Sequence, residues 1–196
     1  MLRMFRPAIV LFAGFTLLTG LLYPLLVTGV AGALFPWQAG GSVLALRGKP
    51  VGSSLIGQSF TAPGYFWGRP SATSPQPYNG LASGGSNLGP SNPAELAAVK
   101  AEVEALRAAD PADAKRAVPV DLATASGSGL DPDISLAAAQ YQVARVAQAR
   151  HLSPQRVRRM VERHARRPWL GLFGEPRVNV LELNLALDGA VPTRLR

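Results

Sequence analysis

The chain has 196 residues, a formal net charge of +8 and no cysteine. The missing thiols exclude disulfides, thiol catalysis and thiolate metal sites. Two of the basic residues, Arg3 and Arg6, precede Phe35, so the rest of the chain carries +6, over a length that can bury a single core.

Residues 8–35 read AIVLFAGFTLLTGLLYPLLVTGVAGALF, without one charge. At about 1.5 Å per residue a helix of this run extends roughly 42 Å, against a hydrocarbon core of about 30 Å. The run predicts one membrane-spanning helix and divides the chain into 1–7, 8–35 and a soluble domain at 36–196. A cleaved signal peptide is the alternative, with Arg3 and Arg6 as its basic start and Ala31-Gly32-Ala33 as an A-x-A-like site. Its apolar region would be only about 7–15 residues, about half the length present, which favours the anchor. Gly14, Gly20, Gly29 and Gly32, with Thr16, Thr19 and Thr28, let another helix approach closely. Such residues are also simply commoner in membrane helices. Pro24 loosens the helix unless a neighbour satisfies the freed carbonyl. Arg3 and Arg6 favour a cytoplasmic N-terminus, and Arg47 and Lys49 beyond the run reduce the asymmetry. The expected soluble domain is then extracytoplasmic.

Residues 50–92 are rich in Gly, Ser, Pro and Asn, with short apolar pieces at Ser54–Gly57 and Tyr65–Trp67. This composition predicts short strands or turns, ordered by docking of the aromatic cluster. Asn92 as cap, Pro93 at the first helical position and Glu95 three residues past the cap predict a helix that ends before Asp110-Pro111. A second helix is expected from Ser135 to Arg150, capped by Asp133 or Ser135. A third is expected from Ser153-Pro154 to about Arg167-Pro168, with Val157, Met160 and Val161 inward and Arg158, Arg159, Arg163 and Arg166 outward. Val178, Val180, Leu183, Leu185 and Leu187 alternate with polar residues and predict a final strand with one wet face. The fold class expected is one N-terminal transmembrane helix plus a mixed α+β soluble domain.

Chemistry is sparse. His151 and His164 lack a nearby carboxylate cluster and make a poor metal site. Asp121, Asp131 and Asp133 are too few oxygen ligands for calcium, and helix capping explains Asp133 more simply. Ser126-Gly127-Ser128-Gly129 is not a Gly-x-Ser-x-Gly elbow and has no His/Asp pair. Ser83-Gly84-Gly85-Ser86 could cradle a phosphate with its N–H groups, yet it lacks the lysine and spacing of a P-loop. Between Arg145 and Arg167 stand eight arginines and one acid, Glu162. Such a face is either solvated or meets anionic lipid or an acidic partner; with the domain outside the cell, nucleic acid is not an expected partner.

Several blocks carry a resemblance: Gly52–Phe60, Tyr65–Thr73, Pro77-Tyr78-Asn79, Ser83–Pro93, Val118–Leu122, Thr124–Asp131 and Pro176–Asn184. Taken in order they resemble the C subunit of Kdp-type potassium-transporting ATPases over essentially the whole chain. The resemblance implies a bacterial inner-membrane complex of a channel-like A subunit, a P-type ATPase B subunit and a small F subunit, in contact with membrane lipid. It implies an accessory subunit without an active site of its own, and no Asp-Lys-Thr-Gly-Thr or Walker motif occurs here. In the family's usual account this subunit is a catalytic chaperone that raises the ATP affinity of the B subunit. The nucleotide-contacting positions would then be Gln142, Ser83, Gly84 and Gly85, with ATP the one cofactor implied. The extracytoplasmic topology conflicts with that account and favours an assembly role. Trp67, Arg69, Asn87, Asn92 and Asn179 are the interface residues expected from the shared blocks.

Overall fold

The computed structural model describes residues 2–168, 171 and 174–195. They form two compact units: Met1–Val43 with Arg194–Arg196, and Leu44–Thr193.

In the first unit, α1 (Leu2–Leu17) passes through a π turn (Leu18–Leu22) into α2 (Tyr23–Leu34). The stretch Phe5–Leu34 is long and apolar enough to cross a membrane, and none of it is buried within the protein. The expected weakening at Pro24 takes a definite form. Pro24 stands in the first turn of α2, directly after the π turn, where Tyr23 donates its N–H to the Leu18 carbonyl. A proline displaces the carbonyl one turn upstream, and the wider turn accommodates it. Thr19 Oγ1 donates to the Phe15 carbonyl at 2.7 Å inside the same bend. A short α3 (Pro36–Ala39) follows. Its Trp37 donates from the indole to the Val43 carbonyl and lies under the Arg194 guanidinium, 4.4 Å from the ring centroid.

From the last residue of the first unit onward, β1 (Val43–Leu46) and β2 (Lys49–Ser53) form a hairpin. Its two central residues, Arg47 and Gly48, both have positive φ (51° and 78°), as a two-residue turn matched to strand twist requires. With β6 (Thr193–Arg194) the order is β2-β1-β6. A second sheet, β3-β5-β4, comprises β3 (Asp133–Ser135), β4 (Ala165–Arg166) and β5 (Arg177–Asn179), with Ile134 and Ala165 both opposite Val178 in antiparallel register.

The helices start where the caps predict. Asn92 accepts from Ala94 N at the head of α4 (Pro93–Ala109), and Ser153 accepts from Arg156 N at the head of α8 (Pro154–His164). Glu95 does not close a capping box; its carboxylate accepts from Ser86 Oγ and ties the preceding loop to α4. After a 3₁₀ turn at Pro111–Asp113 comes α5 (Val120–Ala123), whose Asp121 accepts from both the N–H and hydroxyl of Ser135. Ser135, rather than Asp133, then caps the next helix.

Three expectations are corrected. The helix expected over Ser135–Arg150 is interrupted at Gln142, giving α6 (Leu136–Tyr141) and α7 (Val143–Ala149). The third helix stops at His164, and Ala165–Arg166 pair with β5 instead of extending it. The final strand is largely a helix: only Arg177–Asn179 is extended, and Val180–Leu187 form α9. Asn179 caps α9 by accepting from Glu182 N. Because Val180, Leu181, Leu183, Asn184 and Leu185 are all buried, α9 has apolar groups on every side, and a helix enclosed all round carries no amphipathic period. The main core gathers Phe66, Leu106, Ile134, Val146, Val157, Val161, Val178 and Leu183.

Candidate functional site

The informative region is the segment between β2 and α4, residues 54–92, which contains no helix or strand. It is ordered by side chains that satisfy its backbone, as buried polar groups demand. Gln142 accepts the Trp67 N–H on Oε1 at 2.8 Å and donates Nε2 to the Trp67 carbonyl at 3.0 Å. Asn184 does the same for Phe66, accepting at 2.8 Å and donating at 3.0 Å. Consecutive residues of an extended chain direct their backbone groups to opposite sides. The Phe66-Trp67 step therefore threads between α9 and the α6–α7 junction, gripped by one amide from each side. Each amide stands where a neighbouring strand would.

Two arginines extend the grip. Arg145, 5% exposed, donates to the carbonyls of Pro63 and Tyr65 and to Gln142 Oε1, at 2.6, 3.1 and 2.6 Å. Its guanidinium stacks 4.1 Å from the Trp67 ring centroid. Burial pulls its pKa down to about 10, opposed by the Asp110 carboxylate, which leaves it charged at neutral pH. Arg150 donates to Gly64 O, Leu187 O and Asp188, and lies over the Tyr65 ring, whose hydroxyl also reaches Asp188. These two residues leave the Arg-rich surface expected from sequence and join the interior scaffold.

Further along, Arg69 pairs with Asp131 at 3.1 Å, and Tyr78 donates its hydroxyl to the Arg69 carbonyl. Burial, reinforced by Asp131 and Glu102 and opposed by Arg69, pushes the Tyr78 phenol up to about 12. Burial also raises the Glu102 pKa. Gly57 lies so close to this pair that a Cβ there would come within 2.4 Å of the Tyr78 ring and 2.6 Å of the Asp131 carbonyl oxygen. Two open clefts lie beside Arg69. One, of about 660 Å³, is lined by Asp121, Asp131, Asp133, Glu175 and Arg177 among others. The other, of about 380 Å³, is lined by Phe60, Trp67, Tyr78, Glu102 and Leu122. In the first, Asp131 is already paired with Arg69 and Asp133 with Arg177.

The Ser83–Ser86 loop is docked on another loop. Ser83 Oγ and Gly84 N both donate to the Ser128 carbonyl, at 3.0 and 2.9 Å. Opposite them Gly129 has φ +66°, and a Cβ there would sit 2.7 Å from Gly84 O and 2.5 Å from a Thr73 methyl.

Of the residues expected at a nucleotide site, Gln142 is 1% exposed and fully engaged in the interior, whereas Ser83 is at the surface and Gly84 and Gly85 are half-buried. Among the residues expected at an interface, Asn87 is exposed, with a φ of 53°, and Asn92 is the α4 cap. Trp67 and Arg69 are half-buried in the grip. Asn179 is buried, caps α9, and donates to the Ser54 carbonyl and to Asp133. Gln142 and Trp67, predicted separately, are brought together; Asn87 and Asn179 are parts of different local networks. Sequence reasoning missed Asn184, placed Arg145 and Arg150 only within an Arg-rich face, and weighed Asp131 only as a calcium ligand. The one available signal was a lone amide between Leu183 and Leu185. Ser126 Oγ is buried without a partner, and no group of three metal-binding side chains occurs among the described residues.

Comparison with known proteins matches this framework. The profile of the K⁺-transporting ATPase c chain, KdpC, covers residues 5–189. The potassium-transporting ATPase KdpC subunit of Polaromonas naphthalenivorans is 65% identical over 192 residues, 98% of this chain and 97% of that protein. Its counterpart in Variovorax paradoxus is 65% identical over 189 residues, 96% and 97% of the two chains. That of Sorangium cellulosum is 64% identical over 190 residues, 97% and 100%. With the match running from the apolar helix through α9, the chain belongs to the KdpC family, the c chain of K⁺-transporting ATPases.

Proposed function

We propose that this chain is a non-catalytic subunit of an ATP-driven potassium uptake complex in the bacterial inner membrane, needed for its assembly and activity. Residues 8–35 form its single span, 1–7 are cytoplasmic, and 36–196 lie on the outer face beside the channel-like A subunit. The B subunit carries the ATPase chemistry and a small F subunit completes the complex. The observation that carries the reading is the use made of the polar side chains: Gln142, Asn184, Arg145 and Arg150 are spent on holding the backbone of the 54–92 segment, which suits a rigid docking module. The relatives named above are KdpC subunits throughout, and Phe5–Leu34 supplies the anchor.

The rival role, a chaperone contacting ATP through Gln142 and the Ser83–Ser86 loop, has less support. Gln142 has no surface to offer, and Ser83 and Gly84 are turned to the Ser128 carbonyl. The test has two parts. A tagged chain drawn from its own membranes in mild detergent should bring down the other subunits with potassium-stimulated ATPase activity; recovery of the chain alone refutes the assignment. Protease added outside intact spheroplasts should digest the domain; complete protection refutes the outer-face topology and restores the chaperone reading.

A further inference from the structure

The exposed side of α8 is a dense positive surface that the scaffold does not use. Val157 and Val161 are fully buried, while Gln155, Arg156, Arg158, Arg159, Glu162 and Arg163 are exposed. At about 100° per residue, Arg156, Arg159 and Arg163 fall on one stripe. None of the three forms an ion pair or hydrogen bond through its side chain among the described residues. In the same region Arg145, Arg150 and Arg166 all have partners. Unpaired like charges three and four residues apart repel and destabilise the helix that carries them, so the stripe calls for an outside counter-charge.

We propose that the Arg156-Arg159-Arg163 stripe of α8 docks on anionic phospholipid headgroups of the bilayer in which the chain is anchored, a proposal that rests on the reading of Phe5–Leu34 as a membrane span. One observation and one physical argument select lipid over an acidic protein. The face has no apolar or aromatic side chain at its centre, whereas protein interfaces bury such anchors and deplete charge at their core. A headgroup layer supplies mobile anionic charge that needs no shaped complement, and each Lys or Arg near such a surface strengthens binding about fivefold. Covalent attachment to a spanning helix keeps the domain within reach, so that contacts weak in isolation are populated.

The test uses the full chain. Having no cysteine, it accepts a single fluorophore at Gln155→Cys, with a control label at Gln148→Cys on α7. The protein is placed in nanodiscs of phosphatidylcholine alone, or of phosphatidylcholine with phosphatidylglycerol, each containing a headgroup-linked quencher. The result expected is quenching of the Gln155→Cys label, but not the control, in the anionic discs only. It should disappear in about 1 M salt, where the Debye length shrinks to about 3 Å. In the Arg156/Arg159/Arg163→Gln variant the ratio of docked to undocked domain should fall by about fivefold for each charge removed. All three positions are exposed, and unchanged circular dichroism of the variant verifies that it folds. Equal quenching in neutral and anionic discs overturns the proposal. So does a shielded label that appears only in the assembled complex regardless of lipid charge, which would assign the stripe to an acidic protein surface. Failure of the full chain to insert even into neutral discs overturns the anchor reading itself, and the proposal with it.

Discussion

Replacing Gln142 by alanine removes one side of the grip on Phe66-Trp67. The Trp67 N–H loses its acceptor, the Trp67 carbonyl loses its donor, and Arg145 Nη2 loses a bond of 2.6 Å. A buried polar group left unsatisfied costs about 1–3 kcal/mol. Two donors are orphaned here, but Trp67 is half-buried and Arg145 keeps the carbonyls of Pro63 and Tyr65. The lower half of the range applies, giving about 3 kcal/mol in total. For a domain of this size each kcal/mol moves Tm by about 2–4 °C, so Gln142→Ala should melt about 6–12 °C lower. The assay is thermal unfolding of the full chain in detergent, followed by near-UV circular dichroism of the tryptophans. Asn184→Ala should give a similar loss, and the double variant less than the sum, because both amides hold adjacent residues of one extended segment. Magnesium-ATP should shift none of these melts. A Tm drop under about 2 °C for Gln142→Ala, or a melt raised by ATP in the parent and not in the variant, would refute the reasoning and return Gln142 to nucleotide binding.

Two other outcomes are expected. Gly129→Ala should destabilise by more than about 3 kcal/mol, since it combines a left-handed backbone with collisions against Gly84 O and Thr73, whereas Gly127→Ala, which meets nothing, should stay within about 0.5 kcal/mol; denaturant unfolding of the pair checks this. Tyr78 should ionise near 12 while a free phenol ionises near 10. The unfolded chain releases that proton first, so stability should fall as pH rises through the window from 10 to about 12. Tyr78→Phe should abolish that part of the loss, read as the pH dependence of the unfolding midpoint.

What was legible in the sequence was local. Asn92-Pro93 and Ser153-Pro154 announce helices because a cap and a proline act within one turn, and both helices begin there. The apolar run at 8–35 needs no partner to be read. The grip was illegible because its bonds join residues 75 and 118 positions apart, and no spacing rule connects an amide to a backbone that distant. The same distance hides the difference between Arg145, taken inside by carbonyls far upstream, and Arg159, left outside. At α9 the pattern misled: a helix enclosed on all sides shows only that its residues are apolar, and their chance alternation mimicked a strand. The capping amide at Asn179, with Glu182 three residues on, was the better guide. The Ser83–Ser86 loop shows only small residues in the sequence, and its docking on Ser128 depends on a second loop with no mark in the first.

The π turn at Leu18–Leu22 also sets the azimuth of the lower half of the membrane helix. A regular helix advances about 100° per residue, so Thr16, Gly20, Thr28 and Gly32 would spread over about 160° of its circumference. One extra residue in the wide turn takes back about one such step. Thr28 and Gly32 then swing over Thr16 and Gly20, and these four of the seven glycines and threonines in the run narrow to a seam about 60° wide. Narrow seams of small side chains are where membrane helices come closest. Deleting one residue within 18–22 would leave the helix apolar and long enough to span, yet turn its second half away from the line set by the first.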